Sequence, residues 1–556
     1  MKLSSIPQLF RNMNRSLEIL GILSKYRLAG WIDRFDLDIA RGVFKGSGGE
    51  ELSSLEFETR VRLALIELGP TFIKFGQMLS TRPDMIGQQM ALELSRLQSD
   101  VPADPPEQVR ELVESELGQR IEELFDEFND VALASASIGQ VHQAKLKTGE
   151  PVAVKVQHHG IREKVLVDLE ILTGLAELLE QVPEFQNYRP RQTAAEFQRA
   201  LRRELEFGRE ERNLHQFAMN FQDDPTVRVP TVYPELSTGK VLTMEFLDGV
   251  KIADVETLRD MAVDLDEVAR RGAGAFLEMI FEHGFYHADP HPGNLLVLPG
   301  NVVGIIDFGM VGRVDETMRD NIQEIVLAIA QADVDHLADV ITRIGSAPPD
   351  LDSANLRGDL SEFVSQYAGQ EMNRLDVGRA LTDMTEIIRN YHILLPSGMA
   401  MLIKVLVVLE GTARALSPSV KLMELIEPYH KKLLWRRFSP ARQMLKLRRL
   451  YCEWEALGAT LPRNLIDILQ QIQSGRFDVH LDHRNLEPSV NRLVLGMLAS
   501  ALYLGSSWML SNKVPPVINI GFETSLLGML GCLVSMGMGL RLLWAIRKSG
   551  RLDRSG

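Results

Sequence analysis

Two short runs carry residue types suited to moving a phosphoryl group: His287-Ala288-Asp289-Pro290-His291-Pro292-Gly293-Asn294, and Asp307-Phe308-Gly309. Phosphoryl transfer needs a carboxylate to orient the nucleophile and oxygen ligands to hold magnesium against the phosphates. Asp289 suits the first task, and Asn294 and Asp307 the second. Two hard side-chain donors, completed by phosphate and water, are what magnesium prefers. Residues 295–306 read as a strand, a Pro299-Gly300-Asn301 turn and a second strand, which would return Asp307 to the neighbourhood of Asn294. Either run alone is common by chance; in this order and joined by a hairpin they point to one nucleotide site. A competing reading places His287, Asp289 and His291 on one strand face as a transition-metal cluster, and the D-F-G downstream favours phosphoryl transfer.

Upstream, Val152-Ala153-Val154-Lys155 ends a strand. A lysine there can reach α- and β-phosphates if a carboxylate fixes its position. Glu204, Glu206 and Glu210 follow on helical sequence, and Glu210 is the expected partner; an exposed charged face is the plainer explanation of the three glutamates. Between the first two strands lies Ala134-Ser135-Ala136-Ser137-Ile138-Gly139, small residues where a protein kinase has a glycine-rich loop. Alanine and serine are stiffer than glycine, so this loop should cradle nucleotide with its own geometry.

The elements that must position these groups follow from periodicity. Residues 52–98 repeat apolar positions at helical spacing, and a break at 101–106 (Val-Pro-Ala-Asp-Pro-Pro) precedes an amphipathic helix over 107–117. Strand chemistry begins at Val131 and continues through 141–146 and 151–156 as a three-stranded meander. Helices are expected over 161–182 and 190–220, and a strand pair near 227–232 and 241–246. Beyond Asp254 the pattern is mostly helical. A small β-rich lobe followed by a larger helical one is one way to build a nucleotide cleft.

The chain has 556 residues, 45% apolar and 24% charged, with a net charge of −14. Length predicts three or four structural units. The acidic balance argues against a nucleic-acid partner. Cys452 and Cys532 are too few for a disulfide framework and suit a reducing compartment.

Near the C-terminus, residues 493–512 carry no formal charge, and 517–540 are apolar apart from Glu523. Each run is long enough to cross a bilayer, with small residues at four-residue spacing (Gly496, Ser500; Gly531, Ser535, Gly539) that favour close helix approach. Arg492 before them and Arg541, Arg547, Lys548 and Arg551 after them put both flanks in the cytoplasm. A membrane hairpin is expected, with a buried soluble hairpin as the alternative. Residues 1–34 carry six basic side chains against Glu18 and Asp33. Their apolar positions, Phe10, Leu17, Leu20, Ile22 and Leu23, would rest either on anionic lipid or on the protein itself.

With these motifs in hand, the chain resembles the UbiB/aarF-domain family of atypical kinase-like proteins, over roughly residues 55–330 and in its C-terminal hairpin. The family's K-x-G-Q is Lys74-Phe75-Gly76-Gln77, its alanine-rich loop Ala134 to Ser137, its VAIK lysine Lys155 and its catalytic loop H-A-D-P-H-P-G-N. Its E-x-D appears as Glu204-Leu205-Glu206, with glutamate in place of aspartate. The resemblance implies an α+β, bilobal, atypical protein-kinase-like fold. Its expected divisions are a basic N-terminal segment (1–51), a helical extension (52–128), an N-lobe (129–246), a C-lobe (247–440), a helical linker (441–491) and two transmembrane helices (492–545). It implies that the K-x-G-Q helices cover the cleft and that Lys74 contacts the Glu204 and Glu206 carboxylates. It further implies ATP and Mg2+ as cofactors, bacterial inner-membrane location with the kinase-like part in the cytoplasm, and support of ubiquinone biosynthesis. The implied partners are membrane lipids, a polyprenyl-aromatic precursor and other proteins of that pathway. A nucleotide-gated scaffold and a true protein kinase are the competing functions.

Overall fold

The computed structural model describes residues 12–28, 55–97, 101–368, 376–426, 428–429, 444, 448, 486–519 and 523–548. The chain divides into two units, Met1–Phe438 and Ser439–Gly556. The first is an α+β, kinase-like, two-lobed body; the second contains two long apolar helices packed as a hairpin.

The N-terminal part is helical: α1 (Met13–Lys25), α2 (Phe57–Leu68), α3 (Pro70–Leu79) and α4 (Gln88–Ser95). Gly69, at φ +98°, turns the chain between α2 and α3, and Pro70 then occupies the first helical position, where its fixed φ costs nothing. The apolar face of α1 packs on the protein: Ile19 is buried among Leu65, Leu68, Phe72 and Ile73, and Ile22 and Leu23 pack against the same cluster. Arg15 bonds Asp168 at 2.8 Å. That decides between the two expectations for this face, although Lys2, Phe10, Arg11, Asp33 and Arg34 lie outside the described residues.

After α5 (Pro106–Leu117) comes a five-stranded antiparallel sheet: β1 (Phe125–Phe128), β2 (Ala134–Ser135), β3 (Gly139–Leu146), β4 (Pro151–Gln157) and, further on, β6 (Val241–Glu245). The expected strand at Val131 is a loop with that residue exposed. The sheet edge is supplied instead by β1, where Phe125 is buried and the intervening acids face water. Helices α6 (Ile161–Leu179), α7 (Pro190–Glu204) and α8 (Phe207–Asn220) follow; Leu205 and Glu206 break the expected 190–220 helical stretch in two. The 227–232 and 241–246 segments form no hairpin. β5 (Val227–Arg228) pairs in parallel with Val303 and Gly304 of a second sheet, while β6 pairs with β4, leaving one bridge between Val232 and Met244.

The second lobe carries β7 (Val250–Lys251), α9 (Leu265–Glu278), β8 (Phe285–His287), β9 (Leu295–Leu298), β10 (Val302–Ile305) and β11 (Val311–Arg313). β9 and β10 are the expected hairpin, with Gly300 and Asn301 both at positive φ in the turn. Helices α10 (Glu316–Ala330), α11 (Val334–Ile344), α12 (Ser353–Tyr367), α13 (Val377–Asn390) and α14 (Ser397–Leu416) complete the unit. Asp315, Asp333, Asp352 and Asp376 each cap the following helix by accepting a backbone N–H, worth about 1 kcal/mol apiece.

One core joins both lobes. Leu242 and Met244 of β6, Phe217 of α8, Phe276 of α9, Phe308, and Leu402 and Val405 of α14 all belong to it. Phe308 is fully buried, its ring 4.9 Å from Phe217 and 5.3 Å from His287.

In the second unit, α15 (Leu486–Ser511) and α16 (Leu526–Lys548) run antiparallel, with Gly496 near Leu542 and Gly528 near Leu510. Each contains 19 residues long and apolar enough to cross a membrane. The second apolar stretch starts later than expected, because β12 (Val517–Asn519) and β13 (Glu523–Ser525) pair and use up its first residues. Close approach runs through Gly528 and Gly531 against Ser506, whereas Gly539 faces open space. The expected linker at 441–491 lies almost wholly outside the described residues.

Candidate active site

Lys155 stands half-buried near the end of β4, and Glu210 in the first turn of α8 is the one polar residue buried on that helix beside Phe207, Leu214 and Phe217. Lys155 Nζ donates to Glu210 Oε1 and Oε2 at 2.9 and 2.8 Å and to Asp307 Oδ1 at 3.3 Å. The lysine thus bridges helix α8 and the D-F-G turn. Burial pushes the Glu210 carboxyl up; Lys155 opposes this and Asp307 reinforces it. Asp307 goes the other way: Lys155 holds its carboxyl well below the usual range, against burial, with Lys74 adding to the pull. The cluster thus keeps Asp307 ionised.

Asp307 has φ +60°, a left-handed backbone that aspartate adopts more readily than most residues. Its carbonyl accepts a 2.7 Å hydrogen bond from His287 Nε2, and His287 Nδ1 accepts from the Asp289 backbone N–H at 3.2 Å. These bonds assign the Nε2–H tautomer to His287 and commit both ring nitrogens. The imidazole is a brace between the catalytic loop and the D-F-G turn. Among the described residues no three His, Cys, Asp or Glu side chains converge as metal ligands, so the transition-metal reading of His287, Asp289 and His291 is set aside; His291 Nδ1 accepts instead from the Gly293 N–H.

Asn294 Nδ2 donates to Asp289 Oδ2 at 3.0 Å and to Asp289 O at 3.2 Å, and the Asn294 carbonyl accepts from Ile306 N–H at 2.9 Å. The β9–β10 hairpin therefore returns the chain beside Asn294, as its turn residues required. With Nδ2 committed to Asp289, Oδ1 is the Asn294 atom left to face a cation. An amide oxygen and an ionised carboxylate, one from each side of the hairpin, fit a hard divalent ion that completes its shell with phosphate and water.

The alanine-rich loop is only partly a loop, since Ala134 and Ser135 pair as β2 with Val141 and Gln140. Ala136 N–H donates to Gly139 O, and Ser137 and Ile138 are buried. A Cβ on Gly139 would overlap the Val156 carbonyl oxygen and lie 3.1 Å from the Val156 carbonyl carbon, so this glycine is required by backbone contact with β4. Asp104, from the proline-rich break, accepts from His159 N–H at 2.8 Å, and its own backbone N–H donates to Gln140 Oε1 at 2.6 Å. His158 Nε2 lies 2.9 Å from Ala136 O. The proline-rich segment thus holds the loop, a role for Asp104 that spacing did not reveal.

Lys74, on α3, pairs with Glu204 at the end of α7. Burial pulls its ammonium down, but Glu204 and Asp307 outweigh this and raise it overall. Glu206 is not part of that pair: it stands at the N-cap position of α8 without a side-chain capping bond and meets Arg162 Nη2 at 3.1 Å on the exposed side. The expectation that Lys74 engages both glutamates holds for Glu204 alone. Gly76 lets α3 sit against α2 and α4, as a Cβ there would overlap Leu97 Cδ1 and come within 2.7 Å of Leu65 Cδ1. Gln77 Nε2 donates to Leu97 O at 2.9 Å.

One further cation belongs to the site. Lys404 Nζ, from α14, lies 3.8 Å from Asp289 Oδ1. Its sequence signal is a single charge within residues 398–409, an otherwise apolar stretch of helix.

Three comparisons bear on this geometry. Residues 96–341 match the ABC1 atypical kinase-like domain, 360–421 the UbiB helical domain and 480–548 the ABC1/UbiB kinase-like C-terminal domain. An uncharacterized protein in the hydrogenase 1 5′ region of Clostridium pasteurianum is 31% identical over 88% of this chain and 93% of its own. A probable protein kinase UbiB of Marinobacter nauticus is 30% identical over 83% and 86%; one of Pseudomonas aeruginosa is 32% identical over 77% and 78%. A solved Mycobacterium tuberculosis structure, the Rv3197–erythromycin complex, aligns with a TM-score of 0.44 and 26% identity over 63% of this chain and 87% of that one. With 93% and 86% of the Clostridium pasteurianum and Marinobacter nauticus relatives covered at 31% and 30% identity, and with the domain matches, the chain belongs to the ABC1/UbiB family of atypical kinase-like proteins.

Proposed function

We propose that the chain is a membrane-anchored, magnesium-dependent atypical kinase or ATPase that supports ubiquinone biosynthesis, coupling ATP binding or hydrolysis to the handling of polyprenylated aromatic precursors. The observation that carries this reading is Lys155 bridging Glu210 and Asp307, with Asp289 and Asn294 joined to Asp307 by one hairpin. In this reading Lys155, fixed by Glu210, binds the α- and β-phosphates. Asp289 orients the attacking hydroxyl or water and takes its proton. Asn294 and Asp307 would hold Mg2+, which when bound neutralises charge on the phosphates. The loop from Ala136 to Gly139 covers the nucleotide, and Lys74 balances Glu204, which would otherwise repel it.

Two apolar helices support anchoring in a membrane, and the basic residues flanking them favour a cytoplasmic location for both ends, as in a bacterial inner membrane. The deciding experiment is phosphate release by the full chain in detergent or vesicles, with and without polyprenyl-phenol analogues. Stimulation by the analogues that disappears in Asp289→Asn supports the proposal; Mg-ATP binding without turnover in any lipid overturns the enzymatic part. Cells carrying Asp307→Asn should accumulate less ubiquinone at normal protein abundance.

A nucleotide-gated scaffold is the second reading. It is favoured by Asp289 Oδ2 already accepting from Asn294 Nδ2 at 3.0 Å. It expects ATP binding that alters lipid association with no phosphate release.

A further inference from the structure

A phosphoryl-transfer centre has to neutralise charge that spreads over the terminal phosphate as the bond to it loosens, and preorganised cations do this most effectively. The catalytic loop from His287 to Asn294 contains no lysine or arginine. Lys155 is committed to Glu210 and Asp307, and Lys74 to Glu204. Each holds its carboxylate at hydrogen-bond distance or closer.

Lys404 differs. Its Nζ approaches Asp289 Oδ1 only to 3.8 Å, and among the described residues it makes no hydrogen bond. Its side chain is 16% exposed, on a helix whose neighbouring Leu402 and Val405 are in the core. A lysine so placed is held by its stem while three N–H donors stay uncommitted. Burial pulls its ammonium below the ordinary lysine value; Asp289 opposes this and Lys74 adds to it. Such a cation is improved by an additional anion.

The position of that anion follows from Asp289. A nucleophile held by this carboxylate sits about 2.7 Å from its oxygen and attacks phosphorus from about 3–3.5 Å. A cation 3.8 Å from the same oxygen is within reach of the terminal phosphate. We propose that Lys404 is a catalytic residue that contacts the terminal phosphate of ATP. The inference rests on the phosphoryl-transfer reading of the site. In the step, the nucleophile oxygen forms its bond to the γ-phosphorus as the bond from phosphorus to the β,γ-bridging oxygen breaks. The electron pair leaves on the diphosphate, the hydroxyl proton passes to Asp289, and Lys404 keeps its protons throughout.

The test is isothermal titration of the full-length protein in detergent with Mg2+, comparing ADP with an ATP analogue whose β–γ bond cannot be hydrolysed. Lys404→Met keeps the stem and removes the charge, and Asp289 is exposed enough (36%) to stay solvated in its absence. The expected result is that Lys404→Met binds the ATP analogue about 10- to 100-fold more weakly while its ADP affinity stays within about twofold, and that Lys404→Arg recovers part of the difference. A variant that keeps the wild-type preference for the ATP analogue overturns the contact. So does one that loses both nucleotides in parallel without rescue by arginine, since that is the signature of a purely structural ion pair. Neither result touches the reading of the cleft as a nucleotide site, which falls if the unaltered protein binds no Mg-nucleotide; that outcome overturns both. Loss of the ATP preference in a protein that binds but does not turn over upholds the contact and rejects the chemistry.

Discussion

Lys155 Nζ is shared between the two carboxylate oxygens of Glu210, at 2.9 and 2.8 Å. One residue comes from a strand and the other from a helix 55 positions later, so the pair joins sheet to helix as well as charge to charge. Glu210 is 5% exposed and Lys155 17%. Removing Lys155 leaves the Glu210 carboxylate buried without its cation, which costs about 3–5 kcal/mol. Lys155→Met is expected to lose stability on that scale in urea unfolding, and Lys155→Met combined with Glu210→Met to lose less than the sum of the two single changes. Additivity would show that the pair is not coupled.

Acid sensitivity should trace to Asp307. Its carboxyl in the folded protein sits below its unfolded value, chiefly because of Lys155. The stabilisation is therefore complete above the ordinary carboxylate range and is lost as pH falls through the folded value. Because the side chain is 53% exposed, solvent screening reduces the size of the effect. Unfolding free energies measured below about pH 4 should fall less steeply in Asp307→Asn than in the unaltered protein, with the curves parallel near neutrality.

The two glutamates of E-x-E should behave differently. Glu206 meets Arg162 with both side chains more than two-fifths exposed, a surface pair worth at most about 1 kcal/mol. Glu206→Gln is expected to change the melting temperature little. Glu204→Gln strips Lys74 of its partner at 19% exposure and should weaken both stability and nucleotide binding. Equal effects in the two variants would contradict the separation.

Two glycines should fail for different reasons. At Gly76 an alanine methyl meets ends of leucine side chains, which can shift; about 1–3 kcal/mol is the usual cost of such overpacking. At Gly139 it meets the Val156 carbonyl in the backbone of β4, which cannot. Gly139→Ala should therefore abolish nucleotide binding under conditions where Gly76→Ala retains it, checked by nucleotide-dependent thermal shift.

Arg82 and Asp84 form a buried pair that also holds the second lobe: Arg82 Nη2 donates to Leu395 O at 3.1 Å, and Leu395 N–H to Asp84 Oδ2 at 3.2 Å. Asp84→Ala is expected to destabilise by about 3–5 kcal/mol and to raise amide exchange in Pro83–Ile86 and around residue 395 together. Faster exchange in one segment alone would show that they are not coupled.

The chemistry was legible where it is local. The hairpin turn at 299–301, the Asp289 to Asn294 spacing and the D-F-G aspartate lie close in sequence, and Lys155 with Glu210 fall on two strongly patterned elements. β1 was missed because Phe125-Asp126-Glu127-Phe128 reads as polar until β3 is beside it. The parallel pairing of β5 with β10 spans some 75 positions and leaves no local mark. Lys404 lies 115 positions beyond Asp289, and only the packing of α14 brings it back. Glu206 departs from expectation for a related reason: the helix break at Leu205 and Glu206 turns it away from Lys74.

Asp307 is gripped twice, by its carbonyl from His287 and by its carboxylate from Lys155. Those two residues belong to opposite lobes, so a single amino acid acts as a rivet through the cleft. If the lobes part, either the rivet gives at its lysine end or Asp307 must be twisted out of the left-handed backbone it occupies. Opening therefore either breaks the Lys155 contact or reshapes the D-F-G turn, and the lobes cannot drift apart while leaving both as they were.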